Sequence, residues 1–191
     1  MKSLRLLVCT LPFMLAGCST LSAVNWSAAY PWNWFGSSAE ITEQGVAGLD
    51  GSTPMDEQAM SDALGSDYHL RSGMKMHNGN IVHYYEVLHG DTVAMIINGD
   101  KGTISRIDVL DNQISTDNDV RVGTIFSDLY DKAYGHCETA VVEEHNVVEC
   151  KAKESTHIHY QFAGSWQGPQ ELMPPDDMLK NWAVSKIIWQ R

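Results

Sequence analysis

The chain has 191 residues, with 13 Lys and Arg against 24 Asp and Glu, a formal net charge of −11 and 43% hydrophobic residues. So acidic a chain is unsuited to nucleic acid and to electrostatic adhesion to anionic lipid; the charge maintains solubility and tolerates basic partners or divalent cations. Its length fits one domain able to bury a real core, preceded by a leader.

The leader comes first. Lys2 and Arg5 precede an apolar run from Leu6 to Leu15, and the small residues Ala16 and Gly17 lead into Cys18. A charged start, a short apolar stretch and a small-residue cleavage site make an export signal. The apolar run is shorter than the about 20 residues a bilayer span needs. Leu15-Ala16-Gly17-Cys18 resembles the lipobox of bacterial lipoproteins. That resemblance implies cleavage before Cys18, a diacylglycerol on its thiol and a fatty acyl chain such as palmitate on its new amino group. The alternative is an ordinary secretory signal with an incidental cysteine. One acyl chain binds a membrane only marginally, whereas several anchor it stably. Ser19 follows the cysteine where aspartate would favour inner-membrane retention, so the expected location is the outer membrane, facing the periplasm. Losing Lys2 and Arg5 with the signal takes the net charge from −11 to −13.

The expected organisation is a signal peptide over 1–17, a lipidated tether over 18–40 and a globular periplasmic domain over 41–191. The tether combines small polar residues with Trp26, Tyr30, Trp32, Trp34 and Phe35. Such rings favour a bilayer interface. They equally suit a strap on the folded domain or a partner's surface, and Gly36-Ser37-Ser38 reads as a hinge.

A short helix is expected next, capped by Thr53, with Pro54 in its first position, Asp56 and Glu57 at its positive end and Gly65 closing it. The hydrophobic period then changes to two. Strands beginning at Tyr68, Ile81, Thr92 and Thr103 are separated by Asn78-Gly79, His89-Gly90-Asp91 and Asn98–Gly102, which predicts an antiparallel meander. After an acidic loop over Asp111–Asp119, Phe126, Leu129, Tyr130, Ala133 and Tyr134 recur at helical spacing. They predict a second helix from Thr124 to Gly135 with its aromatic face in the core. Strands follow at Thr139–Val142, Asn146–Lys151, His157–Phe162 and Val184–Trp189, with a single helical turn possible over Asp176–Trp182.

Cys9 leaves with the signal and Cys18 carries lipid, so Cys137 and Cys150 remain as an even pair in an oxidising compartment. A turn centred between Glu143 and Glu144 places them opposite one another across a hairpin, which predicts a disulfide. The expected fold is mainly β: an antiparallel β-sandwich-like domain with two short helices. The alternative is α+β, a single antiparallel sheet with helices on one face.

The search for chemistry yields little. The sequence contains no G-x-S-x-G elbow, no phosphate-binding glycine loop and no H-E-x-x-H. His157 and His159 share a strand face that His83 could approach, but a third zinc ligand cannot be placed. Asp108, Asp111, Asp117 and Asp119 lack EF-hand spacing. No catalytic residue, metal ligand or cofactor is assigned.

Longer strings carry a further resemblance: Asn25-Trp26-Ser27-Ala28-Ala29, Pro31-Trp32-Asn33-Trp34-Phe35-Gly36, Ile97-Asn98-Gly99-Asp100, the run Gly102–Asp111 and the run Lys180–Trp189. Through them the whole chain resembles the sigma-E-regulated lipoprotein family of Gram-negative bacteria, whose domain has no assigned function. The resemblance implies lipidation at Cys18 and expression under envelope stress. The expected role is non-enzymatic: a binding or accessory factor at the outer membrane, held by its anchor and meeting an envelope protein or cell-wall partner. The alternatives are an inhibitor of a basic cell-wall hydrolase such as lysozyme, and an enzyme acting on lipid or peptidoglycan.

Overall fold

The computed structural model describes residues 39–77, 79–142, 145–169 and 172–191. Cys18, where lipidation is expected, and the aromatic residues Trp26, Tyr30, Trp32, Trp34 and Phe35 lie outside the described residues.

The alternating stretches form the strands that their period dictates. β1 (Glu40–Ile41), β2 (Gly45–Val46) and β3 (Leu49–Asp50) are two-residue strands. α1 (Glu57–Leu64) follows, then the meander β4 (Tyr68–His77), β5 (Asn80–His89), β6 (Thr92–Asp100) and β7 (Thr103–Val109). β8 (Ser115–Thr116) and α2 (Phe126–Leu129) precede the hairpin β9 (Cys137–Val142) and β10 (His145–Lys151). β11 (Ile158–Ala163), α3 (Asp176–Leu179) and β12 (Ala183–Gln190) complete the described chain. Eight strands make one antiparallel sheet in the order β4-β5-β6-β7-β12-β11-β10-β9, and β3-β2-β1-β8 make a smaller one. The small sheet contains one parallel pair, β1 with β8. The fold is thus mostly β, in two sheets with three short helices.

Pairing register sorts the large sheet into two faces, because residues opposite one another share a side. One face carries Val87, Met95, Ile97, Ile107, Val109, Ile158, Phe162, Ile187 and Trp189, all buried. They form one core with Ile41, Val46 and Leu49 of the small sheet and Met60 of α1. The other face is polar. Tight turns set the register: Lys101 and Gly102, at φ 53° and 86°, join β6 to β7 in the left-handed conformations a two-residue hairpin turn requires.

Two helix expectations are corrected. Thr53 and Pro54 do not begin α1. Thr53 binds the Asp50 carboxylate, and its carbonyl accepts from the Ile104 amide. Pro54 bridges Thr103, and the Met55 amide donates to the Gly102 carbonyl. The segment is held extended along the start of β7, and Asp56 caps the helix instead by accepting from the Ala59 amide at 3.1 Å. The helix expected over Thr124–Gly135 stops after four residues, with Tyr130 extended at φ −136° and ψ 136°. There the Tyr130 ring packs edge-on to Phe162 and its hydroxyl donates to the Lys151 carbonyl at 2.7 Å. The Ala133 amide donates to Asp176 Oδ1 at 2.9 Å. Burial of Phe126, Tyr130 and Ala133 is as the spacing predicts, but Tyr134 is 86% exposed, so the aromatic face does not continue. Tertiary contacts have overridden helical propensity.

Candidate functional site

Four strands contribute to a hydrogen-bonded path along the polar face. Glu149 of β10 stands opposite Gln161 of β11, two register steps from the Lys151–His159 pair and on the same face. His159 reaches Glu149 with Nδ1 3.0 Å from Oε1. Its Nε2 lies 3.4 Å from the Gln190 side-chain nitrogen. The neutral Nδ1–H tautomer satisfies both contacts, donating to Glu149 and accepting from Gln190. Gln190 in turn accepts from Arg106 Nη1 at 3.3 Å, and Arg106 Nε donates to Asp108 Oδ1 at 2.7 Å. Lys186 Nζ lies 3.4 Å from the other Asp108 oxygen. Beneath this roof Ile188, between Asp108 and His159 in register, is fully buried although it faces away from the main core. The long polar side chains cover it with their stems.

At the β9 end the path opens into a cleft of about 560 Å³, lined by His136, Glu138, Thr139, Glu149, His159 and Gln190 among others. Glu138 and Glu149 are direct cross-strand partners, an arrangement of like charges that is unfavourable by itself. His159 hydrogen-bonds one of them. Cys137 and Cys150, the next register pair on the same two strands, are joined by a disulfide, as the sequence led us to expect. The disulfide clamps the floor of the cleft and leaves it no free thiol. Lys151 also lines the cleft, so two carboxylates face one ammonium, and a positively charged group or a dense set of hydrogen-bond donors is what the remaining acceptors can receive.

His157 and His159 follow different partners, and His83 approaches neither. The His157 ring stacks on Trp189 at 5.9 Å, and its Nδ1–H donates to the Gln190 carbonyl at 2.7 Å. His83 is on β5, four positions from β11 in the sheet, which is about 19 Å at ordinary strand spacing. Three of the four aspartates have separate partners: Asp108 binds Arg106 and Lys186, Asp111 contacts His89, and Asp119 pairs with Arg121. Among the described residues, no three His, Cys, Asp or Glu side chains gather as metal ligands would.

Glu43 was not anticipated. From the turn between β1 and β2 its carboxylate accepts from Ser155 Oγ and Thr156 Oγ1, each at 2.5 Å, and from the Thr156 amide at 2.9 Å. Trp189 Nε1 donates to the Glu43 carbonyl at 3.1 Å. The two hydroxyl donors hold the Glu43 carboxyl down to about 2, with His157 adding a smaller attraction. The residue latches the small sheet to one end of the large one. Its partners lie more than 100 positions away, so no local pattern could reveal it. Deep in the core, burial pushes the Tyr130 and Tyr160 phenols above the ordinary tyrosine range, so both hold their protons near neutrality.

Comparison with known proteins places these features in context. Residues 23–191 match a family described as "Protein of unknown function (DUF1131)". The chain is 64% identical to the "Uncharacterized protein YfeY" of Escherichia coli (strain K12) over the full length of both. A crystal structure of the uncharacterized protein yfeY from Escherichia coli is similar, with a TM-score of 0.72 and 60% identity. That similarity covers 80% of this chain and 99% of that one. Among the described residues, no helix is long and apolar enough to cross a membrane.

Proposed function

For a chain that belongs to the DUF1131 family of proteins of unknown function, we propose the role of a lipid-anchored recognition protein at the periplasmic face of the outer membrane, working without catalysis under envelope stress. The observation that carries this reading is the polar sheet face, whose hydrogen-bonded path from Asp108 to Glu149 ends in the open cleft. A sheet held by main-chain bonds on both sides of every inner strand keeps such a surface pre-organised, which lowers the cost of binding. Glu138 and Glu149 favour a partner that brings cationic groups to the cleft. The lipobox ending at Cys18 supplies the anchor, and Ser19 supports the outer-membrane destination.

The net charge of −13 after Cys18 favours one second reading, in which the basic partner is a cell-wall hydrolase that the domain inhibits. Both are tested together. Protein extracted from stressed cells should carry acyl mass on Cys18, and the anchored form should retain a partner that the Glu149→Lys variant releases. Recovery of lipid alone by both forms would refute recognition. Inhibition of lysozyme by the purified protein would select the second reading, and unchanged lysozyme activity would dismiss it.

A further inference from the structure

The β4–β5 hairpin is longer than the sheet needs. β5 first pairs with β6 at Tyr84 opposite Asn98, yet the hairpin continues for four more register pairs, from Met74–His83 to His77–Asn80. At about 3.3 Å per residue this is a projection of roughly 13 Å. On its core-side face the register places Met74 and Met76 side by side on β4, with Ile81 opposite Met76. There is no core left to cover them: Met74, Met76 and Ile81 are 67%, 68% and 65% exposed. A cluster of large apolar side chains so exposed at a projecting tip marks a contact surface.

Charge identifies what it contacts. Between Asp67 and Glu86 the chain carries Arg71 and Lys75 and no carboxylate, in a protein of net charge −11. Arg71 is neutralised by Glu86 at the base of the hairpin. Among the described residues Lys75 has only neutral partners, the Asn98 side-chain oxygen at 2.6 Å and the Tyr84 ring at 5.4 Å, so its charge stands without a carboxylate partner on the opposite face of the hairpin from the apolar cluster. A second copy docking here by two-fold symmetry would bring Lys75 towards Lys75. A flat anionic surface meets the opposite situation. The tip offers it apolar side chains and a cation, on a hairpin that carries no carboxylate between Asp67 and Glu86.

We propose that the β4–β5 tip inserts Met74, Met76 and Ile81 into the interface of an anionic phospholipid bilayer, with Lys75 at headgroup level. Methionine and isoleucine suit the shallow boundary between headgroup and acyl chain, where an amphipathic element buries its apolar side by about 5–10 Å. The tip would then fix the orientation of the domain on the membrane, a role the acyl anchor cannot fill by itself. The inference rests on the anchored reading only for the nearness of a bilayer.

The test uses the full chain reconstituted in vesicles of phosphatidylethanolamine and phosphatidylglycerol, with Met76 replaced by a fluorescent dansyl amino acid. Acyl mass is measured on the same preparation. The expected result is a blue shift, strong quenching by shallow nitroxide lipids and several-fold weaker quenching by aqueous iodide than for the same probe at Lys101. Combining the probe with Met74→Ser and Ile81→Thr should return it to water, and Lys75→Glu should do so in these vesicles. Equal iodide access at both positions on acylated protein would overturn the hairpin inference while leaving the anchor standing. Shielding from iodide without quenching by nitroxide lipids would also overturn it, assigning the patch to a protein contact. Lipid quenching on protein without acyl mass would support the hairpin and refute the anchor.

Discussion

Glu43→Gln isolates the latch between the two sheets. The unfolded carboxyl titrates near 4.5, whereas the hydroxyls of Ser155 and Thr156 hold the folded one down to about 2. A drop of that size corresponds to about 3 kcal/mol of linkage. Glu43 is half-buried at the surface, and solvent screening there reduces the contribution to about 1 kcal/mol. The sign follows from the depressed value: the folded state holds the extra stability above pH 4.5 and loses it as pH falls towards 2. Glutamine keeps one acceptor oxygen, replaces the other with a donor facing donors, and has no charge to titrate. Urea denaturation at a series of pH values measures the effect. The variant should be about 1 kcal/mol less stable than the parent at pH 7, and the gap should close as pH approaches 2. A gap that is the same at both ends of the range would show that shape rather than charge holds the latch, and no gap at all would refute the latch.

Three further outcomes follow from the same structure. Intact mass before and after reduction should show one bond between Cys137 and Cys150, whose sequence separation is 13. Replacing both cysteines by serine should cost about 3 kcal/mol by loop-closure entropy, read as a lower denaturation midpoint. Phe162→Ala, in the fully buried cluster with Phe126 and Tyr130, should cost about 3–5 kcal/mol in the same assay. Tyr134→Ala should stay within about 0.5 kcal/mol, because that ring is 86% exposed; a larger loss would restore the long helix that the hydrophobic spacing suggested.

The comparison of Tyr134 with Phe162 shows where sequence is a sufficient guide. In the meander, alternation and turn residues act together. Asp100-Lys101-Gly102 demands a tight turn, and the strands on either side can bury one face in only one register, so β4 to β7 were legible. The Cys137–Cys150 pairing was legible for the same reason, since a hairpin turn sets which residues oppose each other. Around Tyr130 the spacing announced burial, not helix. A helix and an irregular segment wrapped on the same core can bury the same side chains, and the Tyr130 hydroxyl's bond to Lys151 decided between them. The strands β1, β2, β3 and β8 were not legible, because two residues carry no period. The polar path was legible only in pieces. His159 was singled out, but its partners Glu149, Gln190 and Arg106 come from other strands, and only the strand order brings them together.

The most direct test of the recognition reading is site-specific cross-linking inside the living envelope. A photo-reactive residue replacing Thr139 lies in the cleft, and one replacing Lys101 lies on the exposed turn between β6 and β7. If the polar face recognises a partner, irradiation of stressed cells should give a discrete adduct from position 139, none from position 101, and loss of the adduct when Glu149→Lys is added. Identical adduct patterns from both positions, or an adduct at 139 that ignores Glu149→Lys, would contradict the account.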